Sequence, residues 1–133
     1  MTSVTPSGGQ QSDHEQAVFR LHEERHALRA RAAQLTDEMA GLIAASRDSN
    51  ADDEHDPEGQ TIAYERSQLS ALTRQTHDHL LEVEAALERV TAGTYGDCEV
   101  CHQPIAAARL EARPTARTCV DHADTRRHGT SRR

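Results

Sequence analysis

Three cysteines and a histidine stand at Cys98-x2-Cys101-x17-Cys119-x2-His122, toward the C-terminal end of a 133-residue sequence. Two close pairs separated by a loop of this size are the usual frame for a tetrahedral structural zinc site. Each pair grips one edge of the tetrahedron, and the loop closes over it. The three are the only cysteines in the sequence, and an odd number argues against a disulfide framework. A redox Cys-x-x-Cys pair belongs beside a βαβ pattern, and none is present. His122 is read as the fourth ligand from its two-residue gap to Cys119; His102 and His128 are the nearby alternatives among nine histidines. Four protein ligands leave no open position for activating water, so the metal is expected to hold structure and not to catalyse.

The second group that could do chemistry is a run of carboxylates. Residues 48–59, Asp48-Ser-Asn-Ala-Asp-Asp-Glu-His-Asp-Pro-Glu-Gly59, carry six acidic side chains and no basic one, nearly the whole of a net charge of −7. Such a run commonly does no more than keep a helix end solvated. Glu54, Asp56, Glu58, Gly59 and Glu65 fall in an EF-hand frame. The frame is disfavoured because its first position should be Asp, its fifth Asp or Asn, and Pro57 stiffens the turn. All fifteen basic residues are Arg, which removes any mechanism that needs a lysine amine. The tail Arg126-Arg127…Arg132-Arg133 has the charge to touch nucleic acid, although terminal arginines are more often merely solvated. No nucleophile–base constellation and no Gly-rich phosphate loop is present, so no enzyme is expected.

These groups need elements to position them. Val18, Leu21, Leu28, Ala32, Leu35, Met39 and Leu42 fall on alternating three- and four-residue steps, with Arg25 at the one skipped place. That is a heptad seam, and helix formers fill its other faces. A second seam runs Leu69, Leu72, Thr76, Leu80, Val83, Leu87, Val90. The acidic stretch between them contains helix breakers. Two matched seams joined by a short polar loop predict an antiparallel coiled-coil hairpin, with intermolecular pairing of each helix as the alternative. Gly93 is expected to end the second helix in the left-handed conformation. Only 35% of residues are apolar and 2% aromatic, too few for an ordinary core, so a thin interface and a metal staple must share the work. The expectation is all-α: a segment without apolar periodicity at 1–12, read as disordered, a hairpin at 13–92 with its acidic tip at 48–59, a zinc finger at 93–125 and a basic tail at 126–133. No run of 18 apolar residues exists, and residues 1–12 lack the basic start and apolar stretch of a secretory signal. A cytoplasmic location is the default expectation.

The run Gly93-Thr-Tyr-Gly-Asp-Cys98-Glu-Val-Cys101, then Ile105, Arg109-Leu-Glu-Ala-Arg-Pro114 and Thr118-Cys119-Val-Asp-His122, resembles the zinc finger of the DksA/TraR family. With the hairpin included, the resemblance covers about residues 13–125. It implies a bacterial transcription regulator that inserts a coiled-coil hairpin into the secondary channel of RNA polymerase without sequence-specific DNA binding. It also implies that two aspartates three apart at the hairpin tip, followed by a small residue, act near the polymerase active site. Asp53-x-x-Asp56 matches that spacing, while Glu58, after Pro57, stands where the family commonly has Ala. Two further departures lie in the finger: His122 replaces the family's usual fourth cysteine, and His102 replaces the glycine that follows the second. Histidine tolerates positive φ better than most side chains, so the knuckle is expected to survive. The competing readings are a DNA-binding zinc finger and a zinc-stabilised coiled-coil scaffold. The first is disfavoured because residues 92–122 carry no net basic charge and present no basic recognition helix. A monomer with no membrane partner is expected.

Overall fold

The structure is a computed structural model that describes the backbone of residues 8–49 and 57–123, and the side chains of 12–48 and 59–123. Its elements are α1 (Gly8–Ser49), α2 (Pro57–Ala92), the short α3 (Ala107–Ala112) and a 3₁₀ turn (Val120–His122). No strand forms among the described residues; one isolated β-bridge joins Asp97 and Pro104. The fold is all-α, two long helices followed by a small finger. No helix among the described residues is long and apolar enough to cross a membrane.

Helix boundaries differ modestly from the sequence pattern, and each difference has a local cause. α1 begins at Gly8, upstream of Asp13, because adding one residue to an existing helix is far cheaper than nucleating it and needs no buried side chain. The acidic stretch 48–59 is helical at both ends: α1 continues through Ser49 and α2 starts at Pro57. Proline suits that first position, since its fixed φ is helical and its missing N–H would have no partner there. Asp53 and Asp56 lie outside the described residues, as does the basic tail; Glu58 falls in the first turn of α2.

The chain divides into two compact units. One comprises residues 26–81, the central parts of both long helices. Here Leu35 is fully buried, and Leu28, Ala32, Met39, Leu42, Leu69, Thr76 and Leu80 are half-buried. The other unit contains the beginning of α1, the end of α2 and the finger. It buries Ala17, Leu21, Val83, Ala86 and Leu87 from the helices, and Tyr95, Cys98, Ile105, Ala116 and Thr118 from the finger. The two seams are therefore the inner faces of α1 and α2. Leu72 is the exception, 36% exposed.

α2 ends as the sequence indicates. Gly93 takes φ 80°, its N–H donates to Val90 O at 3.2 Å, and Thr94 N–H reaches back to Arg89 O at 2.9 Å. This pair of bonds is the Schellman arrangement, which satisfies carbonyls that the last helical turn leaves without partners.

Candidate metal centre

The finger is assembled from two knuckles and a side-chain scaffold behind them. In the first knuckle, Cys98 N–H donates to Gln103 O at 2.9 Å and His102 N–H donates to Cys98 O at 2.9 Å. This tight return requires a left-handed residue, and His102 supplies it at φ 62°. Gly96, at φ 89°, turns the preceding backbone so that its carbonyl accepts from Ile105 N–H at 2.7 Å. The second knuckle is the 3₁₀ turn, closed by His122 N–H to Cys119 O at 3.1 Å.

The segment leading into the second knuckle has no regular structure of its own. Its carbonyls are held by side chains instead. Tyr95 Oη donates to Pro114 O at 2.8 Å, Arg89 Nη2 to Thr115 O at 3.4 Å, and Arg109 Nε to Thr118 O at 2.8 Å. Glu99 N–H adds a bond to Arg117 O at 2.9 Å, tying the two knuckles together. The Tyr95 ring also meets His14 of α1 edge-on, with centroids 5.3 Å apart. Burial pushes the Tyr95 phenol up; Arg89 and Arg20 pull it back only partly. It remains a protonated donor across the ordinary pH range.

This scaffold brings together the four residues picked out by spacing. The ligand-capable atoms of Cys98, Cys101, Cys119 and His122 all lie within 4.8 Å of one another. Cys101 Sγ and Cys119 Sγ are 3.9 Å apart, Cys98 Sγ and His122 Nδ1 3.9 Å, and Cys119 Sγ and His122 Nδ1 3.1 Å. A tetrahedral zinc with Zn–S bonds of about 2.3 Å has S–S edges of about 3.8 Å, so the spacing fits. His102 is exposed on the rim of the first knuckle and outside this cluster. His128 lies outside the described residues.

The thiols are also electrostatically prepared. Burial raises Cys98, but hydrogen bonds from the backbone at Cys101, Cys119 and Val100, and from the Cys101 side chain, outweigh it and lower the thiol to about 6. Cys101 moves the other way. A backbone hydrogen bond at Gln103 pulls it down, while burial and the adjacent sulfurs of Cys98 and Cys119 push it up by more. Crowded thiols that resist simultaneous ionisation are the expected state of a site whose second and third negative charges a dication must neutralise. The side-chain bonds to carbonyls 114, 115 and 118 had no counterpart in the sequence reading, because a main-chain acceptor leaves no residue-type signature.

Comparison with known proteins agrees with this geometry. Residues 93–121 match the prokaryotic dksA/traR C4-type zinc finger, whose metal is zinc; the match stops one residue short of His122. An uncharacterized protein, YteA of Bacillus subtilis, is 40% identical over 73 residues, 55% of this chain but only 30% of that protein's length. The RNA polymerase-binding transcription factor DksA of Haemophilus influenzae is 31% identical over 98 residues, covering 73% of this chain and 67% of that one. Its Escherichia coli K12 counterpart is 34% identical over 98 residues, 64% of its length. The structure of transcription factor DksA2 from Pseudomonas aeruginosa superposes with a TM-score of 0.50 at 25% identity, covering 86% of this chain and 88% of that one. The matched spans run far beyond the finger, and with the helices and the Cys/His cluster they show that the chain belongs to the DksA/TraR zinc-finger family.

Proposed function

We propose that this protein regulates transcription by binding RNA polymerase, placing its helical hairpin in the secondary channel and acting there through Asp53, Asp56 and Glu58. Zinc is held by Cys98, Cys101, Cys119 and His122, and its role is to hold the two knuckles of the finger together. One observation carries the reading: 31% identity over 98 residues with an RNA polymerase-binding transcription factor, across two thirds of that factor's length. A span that long has to include helix as well as finger. The protein acts in the cytoplasm as a monomer and without catalysis or sequence-specific contact to nucleic acid.

Carboxylates at the end of a helical pair have two physical uses inside an enzyme channel. They perturb bound cations, and they pair with basic elements that move during catalysis. Retention of purified RNA polymerase by the purified chain tests the partner. Replacing Asp53 and Asp56 together by Asn tests the mechanism. The change keeps side-chain size and removes two of the six carboxylates in residues 48–59, so mutual repulsion falls and folding is expected to persist. Polymerase binding is expected to remain while the effect on initiation in vitro is lost. Full regulatory activity in the double variant leaves the tip a solubility feature and removes the mechanism.

A further inference from the structure

The unit that joins the beginning of α1 to the finger holds a pocket of about 440 Å³, a volume within the range of small-molecule sites. Its floor is apolar: Ala17 of α1, Tyr95 and Ile105 are all buried. Tyr95 is fixed in that floor, because its hydroxyl donates to Pro114 O at 2.8 Å and its ring meets His14 edge-on.

Three charged side chains stand at the mouth, Asp13 and Arg20 from α1 and Glu111 from α3. All three are exposed, and none has an ion-pair partner among the described residues. Arg20 is nevertheless held, since its Nη1 donates to the main-chain oxygen of Glu111. That bond brings a guanidinium with N–H groups to spare to the residue that carries the second carboxylate. Asp13 lies seven residues earlier on the same face of α1, two turns or about 10 Å along the axis. Ala17 falls between them.

This pattern selects a ligand by its charges. Neighbouring Arg20 and Glu111 suit the carboxylate and ammonium of an α-amino acid, which are neighbours in the ligand too. The floor suits an aliphatic stem, and Asp13 suits a cation at the stem's far end. Two negative groups and one positive group in the site meet two positive and one negative in a basic amino acid. We infer that the pocket binds a free basic α-amino acid, lysine or arginine, with its α-carboxylate on Arg20, its α-ammonium on Glu111 and its side-chain cation on Asp13. The ligand bridges α1 and the finger, and its binding does not depend on the polymerase-binding reading.

Titration of the full zinc-loaded chain with L-lysine, followed by NMR, tests the site. Saturable shifts are expected at the amides of Ala17, Tyr95, Ile105 and Glu111. Half-saturation is expected near 1 mM, about what ten non-hydrogen atoms achieve at a mouth open to water. Three analogues each delete one group: cadaverine the carboxylate, 6-aminohexanoate the α-amine, norleucine the side-chain cation. At equal ionic strength each is expected to bind about tenfold more weakly or worse, the loss of one charge-assisted hydrogen bond. Asp13→Asn is expected to bind lysine and norleucine alike. Glu111→Gln is expected to bind lysine and 6-aminohexanoate alike; it keeps the Arg20 bond, which is made to the main chain. A merely structural effect of either change would not erase one analogue's disadvantage and spare the other's. Absence of saturable shifts at about twentyfold the expected half-saturation overturns the site. Cadaverine binding as tightly as lysine makes it a polyamine site and overturns the amino-acid assignment. A preference for lysine over norleucine that survives Asp13→Asn overturns the placement of the ligand.

Discussion

A side chain in the left-handed region carries a steric penalty of about 1–2 kcal/mol that glycine avoids, and His102, at φ 62°, bears it. Glycine brings its own cost of about 0.5–1 kcal/mol through greater freedom in the unfolded chain. The balance predicts that His102→Gly stabilises the finger by about 0.5–1 kcal/mol, and that β-branched His102→Val destabilises it, both measurable by thermal unfolding of the zinc-loaded protein. Tyr95 offers a test of opposite sign. Its hydroxyl satisfies Pro114 O in a buried position, so Tyr95→Phe should cost about 1–3 kcal/mol by leaving that carbonyl unpaired. The folded phenol titrates above its unfolded counterpart. Its contribution is therefore complete below a pH of about 10 and is lost as pH rises through the folded value. Denaturant titrations of the parent should show that alkaline decline, and Tyr95→Phe should lack its tyrosine component. At this scale the Cys/His cluster was legible in the sequence, because a zinc site dictates both residue type and spacing. The left-handed His102 was legible because the knuckle needs a residue that tolerates positive φ. The guanidinium bonds of Arg89 and Arg109 were not, since any residue can supply the carbonyl they seek.

Elements are governed by periodicity, and the heptad steps proved a good guide to which face is covered. Every apolar seam position of α1 from Val18 to Leu42 is buried or half-buried. The skipped place, Arg25, is half-buried as well, as expected for a long side chain that lays its stem along the seam with its charge outward. Leu35 and Leu72 share the same seam logic but not the same environment: one is fully buried, the other 36% exposed. Leu35→Ala is accordingly expected to cost about 2–5 kcal/mol and Leu72→Ala well under half as much, by chemical denaturation. Equal losses would mean that Leu72 is covered in solution. Ala17 and Ala86, both buried, escaped the sequence reading because alanine is common on every helix face and marks close approach only after the partner is known. The acidic stretch 48–59 carries charge but no apolar periodicity, so the pattern that reads the helices does not extend through it.

For the molecule as a whole, a composition only 35% apolar means that stability must come from a long seam and a metal together. The residues that fasten the finger do so without metal. Tyr95, Arg89 and Arg109 hold carbonyls 114, 115 and 118, and the Gly93 cap fixes where the finger leaves α2. Chelation is therefore expected to loosen Cys98–His102 and Cys119–His122 while helical circular dichroism is retained. Hydrogen exchange should report faster amides in the two knuckles and continued protection in α1 and α2; global unfolding on chelation would show that the carbonyl contacts fail without the metal. Classical zinc fingers behave differently, being unfolded without their metal. The carbonyl-gripping arginines thus bear on traffic in metal. With the approach to Cys119 already in place, capturing an ion requires closing only a short turn around it. Loading should then be quick and nearly independent of the rest of the chain, so that a newly made copy becomes competent at the pace of zinc supply and not at the pace of folding.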